Sequence, residues 1–284
     1  MEIITEPEWD ITVQSLLQHR GNAIVIGATD SGKSTLIRYL LKRMVSARTS
    51  ACLIDADIGQ SSLGIPGTIC KKEFANEGDL DNFTHDKMIF VGTLNPAKSI
   101  PLMIGGVRKM SEICKQPSGI TLIDTTGLVS GLAGESLKIG KMKAVRPMHL
   151  IAVQRGEEIE HLIEQTEGAI VHRIKASSAA KVRNAVTRSL YRKNKFETYF
   201  RESLLSDFLI YRNEAVLLYN SMPARNVSLF REGTLIGLNH DDDTIALGIL
   251  DDVSDDAVTF RSPIGSSRKI NRIIFGDIMH PDYL

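Results

Sequence analysis

The sequence predicts an α/β fold: a P-loop NTPase-type parallel sheet with helices on both faces, followed by a small antiparallel β-domain. Three observations predict it. Short β-branched, near-continuous apolar runs alternate with helical stretches from residue 22 to about residue 200. Runs of that kind mark strands buried on both faces, and their alternation with helices marks a parallel sheet. The first run leads directly into GATDSGKST, residues 27–35, a glycine-rich loop in the strand–loop–helix setting that phosphate binding requires. From about residue 205 the pattern becomes short alternating strands separated by aspartate-rich turns, the signature of antiparallel β-structure. The expected division is 1–204 and 205–284.

The elements follow in order. NAIVIG (22–27) reads as the first strand and residues 34–45 as the helix leaving the loop. ACLID (51–55), KMIFVG (87–92), ITLID (120–124), HLIAV (149–153) and AIVHRI (169–174) read as further strands. Helices are expected over roughly 100–114, 157–164 and 179–200. In the tail, AVLLY, SLF, TLIGL, TIALGIL, AVTF and KINRIIF read as strands.

Composition narrows the function. Of 284 residues, 43% are hydrophobic and 24% charged, as in ordinary globular chains. Lys+Arg and Asp+Glu are both 34, so the net charge is zero and any nucleic-acid contact must be local. The region from residue 205 carries seven Lys/Arg against twelve Asp/Glu, which makes it a poor nucleic-acid surface. Cys52, Cys70 and Cys114 are scattered and odd in number, which argues against a disulfide framework or a zinc site and fits a reducing compartment. No apolar run approaches membrane-spanning length, and MEIITEPEWD lacks the basic and apolar regions of a secretory signal. The expectation is a cytoplasmic protein with no membrane association. The seven histidines show no ligand spacing, and His149 and His172 read as core or edge residues. Trp9 reads as a packing residue.

The phosphate loop sets the chemistry. Gly27 and Gly32 let backbone N–H groups turn toward phosphate oxygens, along Ala28, Thr29, Asp30 and Ser31. Lys33 supplies a cation to the β- and γ-phosphates. Ser34, next to Thr35, offers a hydroxyl to Mg²⁺ at the start of a helix whose dipole favours anions. ATP and Mg²⁺ are the expected ligands. At the second strand end, LIDADIGQ (53–60) places Asp55 and Asp57 two residues apart, facing the same crevice in a parallel sheet. They can hold Mg²⁺ or accept a proton from an attacking hydroxyl; they also read as turn caps. Gln60 is placed to bond substrate or phosphate. Asp124, in DTTG (124–127), reads either as a metal-shell carboxylate or as an aspartate bonding local backbone. A GTPase reading of this segment lacks its base-recognition motif, since the nearest match is NKFE at 194–197.

Between Glu167 and Glu197 there is no acidic residue, while Arg173, Lys175, Lys181, Arg183, Arg188, Arg192, Lys193 and Lys195 lie in that interval. On a helix, Lys181, Arg188, Arg192 and Lys195 share a face, beside a mostly apolar stripe of Val182, Val186, Ser189, Phe196 and Phe200. This is either a solvated basic helix or an arginine-bearing lid over a transferring phosphoryl group.

The combination resembles the Clp/Grc family of polynucleotide 5′-hydroxyl kinases. The motifs are GATDSGKST, DADIGQ followed by IPGT, FVGTLNP (90–96), IDTTGLVSG (123–131) and the basic segment 181–200. The resemblance covers about residues 21–200. It implies transfer of the ATP γ-phosphate to the 5′-hydroxyl of single-stranded RNA or DNA in RNA processing. Lys33 would hold phosphates, Asp57 would orient and deprotonate the hydroxyl, and the lid, about 172–200, would contribute Arg183, Arg188 and Arg192. Ser34, Asp55, Asp57 and Asp124 would form the metal set, and Gln60, Thr68, Thr93 and Leu128 would line the substrate side. Leu128 stands where eukaryotic members have a base-clasping tryptophan, and Asp124 replaces their asparagine. The alternative is an ATP-binding scaffold or regulatory NTPase without kinase activity.

Overall fold

The computed structural model describes residues 6–114, 119–177, 180, 182–201, 205–265 and 270–281. The chain runs α1 (Pro7–Gln18), β1 (Asn22–Ile26), α2 (Lys33–Ser46), β2 (Ala51–Ala56), β3 (Thr68–Phe74), β4 (Lys87–Phe90), α3 (Ile100–Ile113), β5 (Ile120–Thr125), α4 (Gly131–Val145), β6 (His149–Gln154), α5 (Glu160–Ile163), β7 (Ile170–Lys175) and α6 (Ala185–Arg201). Strands β8 (Ser206–Tyr211), β9 (Val216–Tyr219), β10 (Met222–Pro223), β11 (Thr234–His240), β12 (Asp243–Val253), β13 (Ala257–Ser262) and β14 (Arg272–Met279) follow.

Strands β2, β5, β1, β6 and β7 lie side by side in that order and are parallel. The alternation of side chains along a strand gives each face its own core. In β1, Ala23 and Val25 pack with Trp9, Val13 and Leu16 of α1, Leu36, Leu40 and Met44 of α2, and Phe196 and Phe200 of α6. Ile24 and Ile26 point the other way, to Met103 and Val107 of α3, Leu137 and Met142 of α4, and Leu162 of α5. The helices therefore cover both faces, as the apolar runs predict.

The sheet extends beyond its parallel part. β3 is antiparallel to β2, and β4 to β3. β12 then pairs with β4 at Thr244↔Met88, so the C-terminal strands continue one 14-stranded sheet. They are antiparallel apart from β9, which runs parallel to β14, and they enclose a core of their own around Phe260, Phe275, Leu238 and Leu250.

Several expectations are corrected. SLF (228–230) is mostly a 3-10 turn, Val227–Leu229, whose Asn226 side chain accepts the Ser228 amide; that cap favours a turn over a strand. The helix expected at 157–164 is the single turn of α5. The lid helix begins at Ala185, after Arg183, and Lys181 lies outside the described residues. Val182 and Val186 are 78% and 75% exposed, so only Phe196 and Phe200 of the proposed apolar stripe pack down. Cys52 of β2 is disulfide-bonded to Cys114 at the end of α3, against the expectation of unpaired thiols. Cys52 faces the core that α3 covers, a proximity that a separation of 62 residues does not reveal. Among the described residues, no helix is long and apolar enough to cross a membrane.

Trp9 anchors α1. It is buried, and its ring meets Tyr39 of α2 at 5.3 Å between centroids. Trp9→Ala is expected to destabilise the fold by about 3 kcal/mol through the cavity it leaves, read as a lower urea midpoint with an unchanged slope.

Candidate functional site

The phosphate loop is shaped by contacts that exclude side chains. A Cβ on Gly27 would lie 2.3 Å from the Val153 carbonyl oxygen. Gly32 caps α2 with φ 96°, a left-handed conformation open to glycine at little cost. Lys33 is the first residue of α2, and its buried amine donates to the carbonyls of Gly27 and Ala28 at 2.9 and 2.8 Å. Burial lowers its pKa, opposed by the charges of Asp124, Asp57 and Asp30. Ala28 is half-buried, Ser31 is buried, and Thr29 and Thr35 are exposed.

Beside the loop, Ser34 Oγ donates to Asp124 Oδ2 at 2.8 Å, while Asp124 Oδ1 is buried without a partner among the described residues. Burial, then the charges of Asp55 and Asp57, raise the Asp124 carboxyl to about 7. An orphaned carboxylate oxygen next to a serine hydroxyl and a phosphate loop fits a hard divalent cation. Among the described residues no group of three or more His, Cys, Asp or Glu is arranged to hold a metal ion.

The two aspartates at the carboxyl end of β2 separate in role. Asp55 Oδ2 accepts the amides of Ser62 and Leu63 at 2.6 and 2.9 Å and both serine hydroxyls of 61–62, and Oδ1 accepts the Asp57 amide. Both Asp55 oxygens thus anchor the loop that follows β2. Asp57 Oδ1 takes the amides of Gly59 and Gln60 at 3.1 and 3.2 Å, and no donor is found for Oδ2 among the described residues. Burial and the charge of Asp55 raise its pKa. Asp57 therefore carries a half-free carboxylate of raised basicity in the crevice.

The lid closes on the loop through Asp30. Its side chain, 2% exposed, accepts the Arg183 amide at 2.9 Å, Arg183 Nε at 3.2 Å and an Arg188 guanidinium nitrogen at 2.7 Å. Burial would raise the Asp30 carboxyl, but these donors together outweigh it and hold it below its ordinary range. Arg155 adds a bond to the Asp30 carbonyl at 2.7 Å. Further along α6, the Tyr191 hydroxyl donates to the Ser61 carbonyl at 2.6 Å, Lys195 reaches the Ser62 carbonyl at 3.4 Å and Gln60 Nε2 reaches the Arg188 carbonyl at 3.5 Å. Arg192 is half-buried, and its pKa is lowered by burial and by Arg188 beside it.

The remaining substrate-side residues divide. Gln60 Oε1 is buried without a partner among the described residues. Thr68 is fully buried with its hydroxyl bonded to the Ile65 carbonyl at 2.6 Å, and Thr93 Oγ1 accepts the Asn95 amide. The Thr68 hydroxyl is thus spent on its own turn, while Thr93, accepting only, keeps its O–H to donate. Leu128 is half-buried against the α3–α4 core. Sequence reasoning missed Arg155, Tyr191 and two fully buried lysines of α4, Lys138 and Lys141. A lysine on a helix reads as solvated, so no pattern signals these two.

Gly127 ties the DTTG turn to the phosphate loop: a Cβ there would meet Thr29 N at 2.5 Å and Thr29 Cα at 2.6 Å.

The family model described as "mRNA cleavage and polyadenylation factor CLP1 P-loop" matches residues 27–202. A protein of Pyrococcus horikoshii named polyribonucleotide 5′-hydroxyl-kinase is 32% identical over 212 residues, covering 73% of this chain and 57% of that protein. One of the same name from Thermococcus kodakarensis is 34% identical over 191 residues, covering 65% and 53%. The chain thus spans about half the length of the curated relatives it matches. The solved structure of a wild-type Clp1p–Pcf11p complex includes a chain sharing the fold with a TM-score of 0.74 at 11% identity, covering 95% of this chain and 77% of that one.

Gly127→Ala must push the phosphate loop aside. It is expected to weaken ATP binding at least about tenfold, or about 1.4 kcal/mol, in calorimetric titration, and to lower the thermal midpoint as well, since the Cβ meets backbone atoms.

Proposed function

The chain belongs to the CLP1 P-loop family, and on that premise we propose that it is an ATP-dependent polynucleotide 5′-hydroxyl kinase acting on the 5′ ends of single-stranded RNA, and on DNA where offered, in RNA processing. The observation that carries the reading is the convergence on one crevice of a phosphate loop, a half-free carboxylate and a pair of lid arginines. A hydrolysing switch needs no second carboxylate ready to take a proton from an incoming hydroxyl; a kinase does. The relatives named polyribonucleotide 5′-hydroxyl-kinase support the same reading.

In the proposed mechanism the amides of 27–32 and Lys33 receive the β- and γ-phosphates. Lys33 exchanges its bonds to the Gly27 and Ala28 carbonyls for phosphate oxygens. Ser34 and Asp124 would hold Mg²⁺, with Asp57 beside them, and bound Mg²⁺ would offset charge on the phosphate oxygens. Asp57 Oδ2 orients the 5′-hydroxyl and takes its proton; its burial brings its basicity toward what such a step requires. Arg183 and Arg188 turn from Asp30 to the moving phosphoryl group, where guanidinium charge offsets the charge that develops. Arg192, one turn on, extends the cationic surface toward the polynucleotide backbone.

The test is transfer of label from γ-labelled ATP to short 5′-hydroxyl RNA and DNA in Mg²⁺. Labelled RNA is expected from the wild type. Absence of label while ATP still binds would sink the kinase reading and leave a nucleotide-binding scaffold or regulatory NTPase. Asp57→Asn is expected to lower product formation about 10²-fold or more, with ATP affinity within about threefold of wild type. Arg188→Ala is expected to lower kcat about 10²-fold or more, since it removes a charge needed chiefly in the transition state.

A further inference from the structure

Beneath the crevice, on the side of the sheet opposite the lid, α4 carries a lysine that the mechanism above does not use. Lys138 has no exposed surface. Its amine donates to Thr125 Oγ1 at 2.8 Å, to the Thr126 carbonyl, and more weakly to Thr126 Oγ1 at 3.4 Å. Thr125 Oγ1 in turn donates to the Val25 carbonyl of β1 at 2.7 Å. Burying an ammonium group is costly, and bonds of this quality are what permit it.

These bonds sit at a mechanical junction. Thr125 and Thr126 lie between Asp124, which holds Ser34, and Gly127, whose backbone abuts Thr29. Val25 lies two residues before Gly27, where the phosphate loop begins. One amine thus fixes the turn that touches the loop and, through Thr125, the strand that feeds it. Burial, then the neighbouring Lys141 and Lys33, pushes the Lys138 amine well below the ordinary lysine range, opposed by Asp57 and Asp124. Lys141, three residues on and equally buried, finds no hydrogen-bond partner among the described residues, and burial lowers it to about 8, opposed by Asp57, Asp124 and Asp55. A hydrophobic residue would fill either position at lower cost, so a packing role does not account for the pair.

We propose that Lys138 is a positioning residue for phosphoryl transfer: it locks the Thr125–Gly127 turn against the phosphate loop and so sets the register between Asp124, Ser34 and the nucleotide phosphates. The catalytic part of this inference rests on the kinase reading; the mechanical part does not. Lys138 touches neither phosphate nor hydroxyl and acts through the backbone it holds.

The experiment pairs Lys138→Met, which keeps the length of the side chain and removes its amine, with Thr125→Val, which keeps the shape and removes the bridging hydroxyl. Amide hydrogen exchange on the nucleotide-free protein is read first. Both variants are expected to speed exchange at least about tenfold in segments 27–32 and 125–129, with the remaining strands as protected as in wild type. In the RNA kinase assay both are expected to lower kcat, by about 10²-fold for Lys138→Met, with KM for RNA and affinity for ATP within about threefold. Unchanged exchange in the two segments overturns the proposal. So does a kcat equal to wild type, or faster exchange spread over the whole sheet, which would mark a purely structural lysine. If Lys138→Met fails to fold, Thr125→Val decides alone. If wild-type protein labels no RNA, the kinase reading fails separately, and the exchange result still decides whether Lys138 couples the turn to the loop.

Discussion

The structure depends on a buried set of opposed charges at the carboxyl ends of β2 and β5. Asp55, Asp57 and Asp124 face one another there, and Lys33, Lys138 and Lys141 stand among them. Like charges in one buried site repel unless basic groups intervene. The chain supplies one such group from the phosphate loop and two from α4, and burial lowers the pKa of all three lysines. Each carboxylate then takes a separate task from its hydrogen bonds. Asp55 is saturated by the loop 61–63, Asp124 shares itself with Ser34, and Asp57 keeps one oxygen without a protein donor.

Above this centre the lid is joined to the phosphate loop by one residue. Asp30 sits in left-handed backbone at φ 57°, which turns its carboxylate outward to receive Arg183 and Arg188. The arginines that the proposed reaction needs are thereby kept at the loop, with less conformational freedom to lose than free side chains would have. Phe196, Tyr199 and Phe200, all near its C-terminal end, fasten α6 to the core. Val182 before the helix and Val186 in its first turn are exposed, and this end is held by polar contacts of Arg183 and Arg188 to Asp30 and of Tyr191 to Ser61. A helix anchored hydrophobically at one end and electrostatically at the other is suited to move where phosphate competes for its arginines.

Much of this was legible in the sequence. The apolar runs gave the parallel strands because a strand buried on both faces has no polar alternation to hide it. The phosphate loop was legible because its chemistry demands glycine, lysine and serine at fixed spacing. What stayed hidden has a common cause. The α4 helix was missed because Lys138 and Lys141 occupy its buried face, which blurs the apolar stripe that announces a helix. β3 was missed because KKEF reads as polar, although Lys71 and Lys72 are nearly covered by neighbouring strands. Asp55 and Asp57 are the same residue type two positions apart, and only the fold of 59–63 decides which one keeps a free oxygen. Spacing likewise does not reveal that the Thr68 hydroxyl donates to the Ile65 carbonyl of its own turn.

The acidic C-terminal strands, remote from the chemistry in sequence, are joined to it through backbone. Asp277 of β14 donates its amide to the Gly92 carbonyl at 2.6 Å. The amides of Val91 and Gly92 bond the Gly67 carbonyl, and the Gly67 amide bonds the Ile58 carbonyl at 2.8 Å, one residue from Asp57. The close approach of Gly92 to Gly276, where a Cβ would come within 3.0 Å of a Cα, leaves no room for a side chain at this crossing. Phe90 donates its amide to Thr244 Oγ1, and Lys98 pairs with Asp277, so the junction is held on both sides of the ladder. A run of main-chain hydrogen bonds has little rotational freedom. The loop that presents Asp57 is therefore braced by the continuous sheet, while the lid across the crevice hangs on side-chain contacts that phosphate can replace. The stiff wall and the exchangeable one lie on opposite sides of the place where the phosphoryl group would pass.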